Sequence, residues 1–243
     1  MAYGVNPTFS GMTLLNTARN LKTGSVFCDF NAAWYPWDGF WYDNRLGLAT
    51  DAYPTIATDV SRLGILRQYA GTQATGLVAS AMNGLAIGGL TNGITFGGCQ
   101  FTFEADVYLC QLATAADDFD STFGFGDSAA AGEHANGAYF LYDRATSLNW
   151  LAVTAAGGVR TATDTGIAAA ATTWVRIKII VNYLGTRVDF YINNVLVATN
   201  IANIPVFPNV CGQVLKIEKS AGALNVSQMI DWTWFHYDFL VTR

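Results

Sequence analysis

A tight β-hairpin is predicted at residues 186–199, whose sequence is TRVDFYINNVLVAT. Two runs of alternating residues flank Asn193-Asn194, and asparagine tolerates the left-handed backbone that a two-residue hairpin turn needs. This turn sets the register and predicts three pairs on one side of the hairpin: Ile192 with Val195, Phe190 with Val197, and Val188 with Thr199. The opposite side is expected to carry Arg187, Asp189 and Tyr191.

Other short strands surround this hairpin along the chain. Residues 101–109 alternate so that Thr102, Glu104, Asp106 and Tyr108 occupy one face, as in a half-buried strand with a solvated side. The run Trp174–Val181 alternates likewise, and shorter runs predict strands at 121–126, 138–142, 148–154, 214–218 and 230–240. Since no stretch has the apolar spacing of an amphipathic helix, the pattern favours an all-β sandwich or jelly roll.

Composition narrows the classes of partner. Charged residues form only 13% of the 243-residue chain and hydrophobic residues 51%, which predicts a large core or surface covered in a homo-oligomer. The net charge of −5 argues against binding to nucleic acid, which needs clustered Lys and Arg. No apolar run is long enough to span a membrane.

The N-terminus and the cysteines carry no targeting or metal signature. Residues 1–7 lack the basic and apolar regions of a signal peptide, so synthesis in a cytoplasm is expected. The cysteines at 28, 99, 110 and 211 are widely separated and are expected to be reduced, buried thiols.

One domain is predicted over residues 1–243, because all-β sandwiches often reach about 200–250 residues. The first ninety residues are less periodic, and an N-terminal oligomerisation arm is the alternative for residues 1–60. Their aromatic cluster at 34–42 is interpreted either as a core wedge or as an anchor into a neighbouring subunit.

Residues 95–240 resemble the concanavalin A-like, or laminin-G-like, jelly-roll superfamily. The resemblance rests on the strand at 101–109, the segments FGFGD at 123–127, YFLYD at 139–143 and WVRIKI at 174–179, the hairpin, and the closing IDWTW at 230–234. It implies two large antiparallel sheets in a fold that serves lectins, glycan hydrolases, adhesion modules and parts of bacteriophage virions. A fold alone does not choose among these functions.

A catalytic carboxylate pair is incomplete on the strand at 101–109. Laminarinase-like hydrolases of the superfamily carry Glu-x-Asp-x-Glu or Glu-x-Asp-x-x-Glu, whereas Tyr108 and Leu109 follow Glu104 and Asp106 here. The expectation is therefore a solvated acidic pair. His134 is expected on a loop surface and His236 in sheet packing, so no catalytic residues are predicted and the protein is not expected to be an enzyme.

Two ligand hypotheses remain. The acidic cluster of Asp117, Asp118 and Asp120 is a weak candidate for calcium, with a solvated turn as the favoured interpretation and no cofactor as the expectation. A glycan platform is the other hypothesis, with these candidate residues: Glu104, Asp106, Tyr108, Trp150 and Tyr191.

The resulting prediction is a non-enzymatic structural protein of a bacteriophage virion, namely a capsid decoration protein, a head fibre or a tail-associated protein, since the chain resembles phage-encoded jelly-roll proteins. Its expected partners are other virion proteins and further copies of itself, in a trimer by family expectation. The first alternative is a lectin-like module that binds a cell-surface glycan. The second is a glycan hydrolase in which Glu104 works with a carboxylate from a distant strand.

Overall fold

The structure, a computed structural model, describes residues 12–15, 23–28, 41–46, 49–52, 62, 64–82 and 94–239. These ranges form an all-β sandwich of two antiparallel sheets and contain no helix, as the sequence predicts. Accordingly, the described ranges offer no helix of the length and apolarity that crossing a membrane requires.

The strands of the described ranges follow one another along the chain in this order: β1 (Met12–Leu15), β2 (Thr23–Cys28), β3 (Trp41–Leu46), β4 (Thr50–Ala52), β5 (Leu66–Tyr69), β6 (Gly76–Met82), β7 (Cys99–Leu109), β8 (Phe119–Gly126), β9 (Gly137–Asp143), β10 (Asn149–Ala156), β11 (Val159–Ala168), β12 (Trp174–Val181), β13 (Val188–Ile192), β14 (Val195–Asn200), β15 (Gly212–Lys219) and β16 (Ser227–Phe239). Sheet A has nine of these strands and sheet B has seven.

Sheet A is built around the long strands β7 and β16. Its order is β1-β2-β16-β7-β12-β13-β14, and β5 pairs with both β16 and β4. One edge of β16 pairs with β5 at its start and with β2 further along, and the pairing with β7 is irregular between Ile230 and Trp232. Asp231 is therefore the extra residue of a β-bulge, a feature that redirects a side chain locally.

Sheet B has the order β11-β10-β9-β8-β15-β6-β3, and its central strands are buried on both faces. Aromatic rings join it to sheet A across the core. Phe140 of β9 meets Phe190 of β13 at 5.3 Å between ring centroids, and Phe125 of β8 meets Phe103 of β7 at 5.9 Å. These rings are fully buried, so aromatic side chains fill part of the space between the sheets.

The hairpin forms where predicted, with one correction to its register. Asn193 and Asn194 adopt φ values of 50° and 65°, and Ile192 pairs with Val195 as expected. Beyond Tyr191 the register shifts by one residue, so Phe190 pairs with Ala198 and not with Val197. The shift is a β-bulge, which a turn-based register cannot foresee.

The predicted strands at 121–126, 138–142, 148–154, 214–218 and 230–240 correspond to β8, β9, β10, β15 and β16. Strand β11 was not predicted. It is an edge strand that is mostly exposed on both faces, so its sequence carries no apolar alternation.

Strands from the less periodic N-terminal part join both sheets: β1 and β2 extend sheet A, and β3 pairs with β6 in sheet B. The cluster at 34–42 lies outside the described residues, apart from the backbone of β3.

Candidate functional site

Charged side chains line the outward face of sheet A at its centre. The residues between them on β7, Phe103 and Ala105, point into the core, so Glu104 and Asp106 point outward. Register places Asp106 between Arg176 of β12 and Trp232 of β16, and Glu104 between Lys178 and Trp234. Arg62 and the bulge residue Asp231 complete what we call the charged cluster: Arg62, Glu104, Asp106, Arg176, Lys178 and Asp231.

Every carboxylate of the charged cluster meets a cation. Arg176 Nε lies 3.0 Å from Asp106 Oδ1 and 3.8 Å from Glu104 Oε1, and Lys178 Nζ lies 3.3 Å from Glu104 Oε2. Arg62 Nη1 lies 3.2 Å from Asp106 Oδ2 and also pairs with Asp231. The hydrogen bond to Asp106 raises the pKa of Arg176, so this guanidinium stays charged.

The expectation of a solvated acidic pair is therefore wrong. The side chain of Asp106 is 9% exposed and that of Glu104 is 11% exposed. Burial of carboxylates at this level requires nearby opposite charge and hydrogen bonds, and the neighbouring strand β12 supplies them.

Half-buried aromatic rings surround the charged cluster. The Arg62 guanidinium lies 4.0 Å from the Trp174 ring centroid, and that of Arg176 lies 5.0 Å from Trp232. Trp234 stacks on His236 at 5.3 Å. We call Trp174, Trp232 and Trp234 the tryptophan row; all three keep part of their surface in contact with solvent.

A cavity of about 270 Å³ opens at one end of the charged cluster. We call it the arginine pocket, and its lining residues are Arg62, Asp106, Trp174, Arg176, Asn193 and Asn194. The tight turn between β13 and β14 therefore forms one wall, while the strands β7 and β12 form the floor.

Among the residues predicted for a glycan platform, Glu104, Asp106, Tyr108 and Tyr191 lie on this face. Tyr108 contacts Trp174 at 5.0 Å between centroids, and burial raises its pKa; Tyr191 lies 5.9 Å from Lys178 Nζ. Trp150 is a correction. It is 1% exposed and packs in the core against Phe123, because its strand turns that face toward sheet A.

Sequence reasoning missed most of the cations and rings of the site. The alternation of β12 already indicated that Arg176 and Lys178 share one side of that strand, and the spacing of the closing segment at 230–234 indicated the same for Trp232 and Trp234. No local signal identifies Arg62, which comes from a segment before β5 and reaches β7 only in the tertiary structure.

The side chains of the three candidate calcium ligands interact with neighbouring groups of the protein. Asp117 Oδ1 accepts a hydrogen bond from the Leu224 amide at 2.8 Å, and Asp118 Oδ2 accepts one from Ser220 Oγ at 3.2 Å. Burial is the largest cause that raises the pKa of Asp120 to about 7, and repulsion from Asp143 is the second. Across the described residues, no group of three or more His, Cys, Asp or Glu side chains could hold a metal ion.

The two histidines lie in different environments. His236 is half-buried, and its Nδ1 lies 2.7 Å from Ser25 Oγ. His134 was expected on a loop surface, but it is 2% exposed because its ring lies over Gly126, where a Cβ atom would come within 2.5 Å of it. Burial lowers the pKa of His134, which disfavours a charged imidazolium.

The thiols of Cys99 and Cys211 are free and buried, as expected. Burial raises the pKa of Cys99 to about 11 and also raises that of Cys211, which keeps both protonated at neutral pH.

These observations define a concanavalin A-like jelly-roll protein with a charged and aromatic face on one sheet. The chain belongs to the family described as SO2946-like, C-terminal domain, which it matches over residues 61–231. Among curated proteins, no sequence matches the chain.

Solved structures share the fold at low sequence identity. A protein of unknown function, SO2946 from Shewanella oneidensis MR-1, is 12% identical with a TM-score of 0.63, covering 91% of this chain and 89% of its own. The β-glucanase of Bacillus licheniformis is 12% identical with a TM-score of 0.53, covering 87% and 97%. An endo-β-1,4-glucuronan lyase from the fungus Trichoderma reesei is 9% identical with a TM-score of 0.52, covering 84% and 92%.

These matches correct one expectation and leave another without support. The prediction that the protein is not an enzyme is contradicted, because a glucanase and a lyase are among the solved structures that share its fold. The carboxylate test behind it considered only the strand at 101–109, whereas β16 brings Asp231 to the same face as Glu104 and Asp106. The virion role gains no support from the comparisons.

Proposed function

We propose that the protein binds a glycan chain on the outward face of sheet A, across the tryptophan row and the arginine pocket. The observation that carries this proposal is that three half-buried tryptophans share one face with hydrogen-bonding charged groups. Sugar rings have apolar faces that suit an indole and hydroxyl groups that suit Arg, Lys and carboxylate partners. The shared fold of the β-glucanase and the glucuronan lyase supports the same proposal.

The test is a glycan array followed by calorimetric titration of the best oligosaccharides. Trp232→Ala and Trp234→Ala are expected to weaken binding by roughly tenfold each, since burying the apolar face of a sugar ring against an indole contributes on the order of 1 kcal/mol. Phe207→Ala is the matched control, because Phe207 is an aromatic residue that is 80% exposed in the segment after β14. A wild-type protein that binds no glycan at millimolar concentration contradicts the proposal, and so does an equal effect of Phe207→Ala.

Glycan cleavage on the same face is the second candidate function. The observation that favours it is the pairing of Arg62 with both Asp106 and Asp231, which brings carboxylates from two strands together beside Glu104. Glycosidic cleavage by two carboxylates requires such neighbours across one bond.

Chromatography of each glycan after incubation tests this candidate. The wild type is expected to release product, whereas Glu104→Gln and Asp231→Asn are not. Asp189→Asn is the control and is expected to release product, because Asp189 is a carboxylate on β13 outside the charged cluster. If the wild type releases no product from a glycan that it binds, cleavage is rejected and binding alone is retained.

Assembly into a trimer and residence in a virion stay predictions. Light scattering at micromolar protein concentration measures the mass in solution, and a clean monomer would contradict the predicted homo-oligomer.

A further inference from the structure

The charges of the cluster lie at different depths. The side chains of the cations are 41% exposed for Arg176, 23% for Lys178 and 20% for Arg62. Each carboxylate is more buried than the cations that it pairs with, at 9% for Asp106, 11% for Glu104 and 16% for Asp231. The formal charges cancel, but a ligand arriving from solvent meets the positive groups first.

The two arginines of the arginine pocket are also held in place by tryptophan rings and by Asp106. Arg62 lies over Trp174 and Arg176 lies over Trp232, while Asp106 contacts both guanidinium groups. A guanidinium stacked on an indole keeps its planar fork of N–H donors in a defined orientation. Such a fork matches the geometry of a carboxylate, to which it donates paired hydrogen bonds.

We propose that the glycan is an anionic polysaccharide and that the arginine pocket takes the carboxylate of a uronic acid residue. This inference rests on the proposed function, because it names the class of glycan bound on the same face. Arg176 and Arg62 donate to the uronate, Lys178 adds positive charge beside it, and the tryptophan row supports neighbouring sugar rings. The pocket volume of about 270 Å³ is enough for one sugar ring.

The competition for Arg176 limits the affinity of this pocket. A uronate must share the guanidinium with both carboxylate oxygens of Asp106, since Oδ1 lies 3.0 Å from Nε and Oδ2 lies 3.5 Å from Nη2. Binding of the uronate therefore depends on the combined attraction of Arg176, Lys178 and Arg62. This attraction weakens as salt screens the charges.

The test compares two oligosaccharides that differ only at C6: a hexamer of β-1,4-linked glucuronate and the corresponding hexamer of glucose. Calorimetric titration at 20 mM and 500 mM NaCl measures the ratio of their dissociation constants. The wild type is expected to prefer the glucuronate hexamer by roughly tenfold or more at low salt, as one charge-assisted hydrogen bond provides. High salt is expected to reduce this preference.

Variants connect the preference to the pocket. Arg176→Gln and Lys178→Gln are expected to bring the ratio of dissociation constants close to one. Arg187→Gln is the control and is expected to keep the wild-type ratio. Arg187 is a 52% exposed arginine outside the pocket, and its carboxylate partner is Asp189. Circular dichroism checks the fold of each variant, and Lys178→Gln preserves the test if Arg176→Gln does not fold.

The outcomes separate the inference from the proposed function. Equal affinity for the two hexamers retains glycan binding and overturns the anionic preference. Binding of neither hexamer, nor of any array glycan, overturns the proposed function itself. A sulfated glucose hexamer that binds as tightly as the glucuronate overturns the assignment to a carboxylate, since charge alone would then explain the preference.

Discussion

Asp106→Asn tests whether the charged cluster holds sheet A together at its centre. Asp106 accepts hydrogen bonds from Arg176 Nε at 3.0 Å and from Arg62 Nη1 at 3.2 Å, and its side chain is only 9% exposed. A hydrogen bond to a charged group contributes about 1.5–3 kcal/mol, so two intact bonds give an upper limit of about 3–6 kcal/mol. Asparagine keeps one acceptor, and both arginines reach water and other carboxylates, which lowers the expected loss to about 2 kcal/mol.

Urea unfolding at pH 7 measures this loss as a shift of the midpoint at constant m-value. Asp189→Asn is the matched control on the same sheet. Asp189 pairs with Arg187 at 2.9 Å, but Arg187 is 52% exposed, so a loss of less than about 1 kcal/mol is expected. A double-mutant cycle with Arg176→Gln is expected to give a coupling energy of about 1 kcal/mol. If the two Asp→Asn variants lose equal stability and the coupling is zero, the reasoning from burial and ion pairing is refuted.

Four further predictions concern pH and packing. Burial lowers the pKa of His134, so the unfolded chain binds more protons than the folded chain below about pH 6.5. The free energy of unfolding therefore decreases as the pH is lowered through this range. His134→Gln is expected to reduce that pH dependence in urea titrations at several pH values. The pKa of Asp120 is raised to about 7, so the folded state loses stability as the pH rises from about 4 to 7. Asp120→Asn is expected to raise the melting temperature by about 2–4 °C at pH 8 and to leave it unchanged at pH 4. An equal shift at both pH values contradicts this prediction. Asn194→Val forces a β-branched residue to φ 65° and costs about 1–3 kcal/mol in urea unfolding, whereas Asn194→Gly retains most of the stability. Phe190→Ala opens a cavity beside Phe140 and costs about 3–5 kcal/mol by the same measurement, and a loss below 1 kcal/mol would show that the two sheets do not depend on this contact.

The fold was predictable from local patterns to a large extent. Alternation at 101–109 and 174–181 and the Asn193-Asn194 turn identified the strands of a jelly roll, because the period of two and the left-handed turn are backbone properties of short segments. Bulges and edge strands were not predictable in this way. The register shift beyond Tyr191 and the exposed strand β11 depend on neighbouring strands and leave no apolar period in the sequence.

The sequence by itself determined that Glu104, Asp106 and Tyr108 share one side of a strand, and that Arg176 and Lys178 share one side of another. Only the tertiary structure decided that these two strands are neighbours, that Arg62 and Asp231 join them, and that Trp150 turns into the core instead. The physical reason is that alternation specifies which side of its own strand a residue occupies. Which cation neutralises a carboxylate, and which aromatic ring remains in solvent, depends on contacts between segments far apart in the chain.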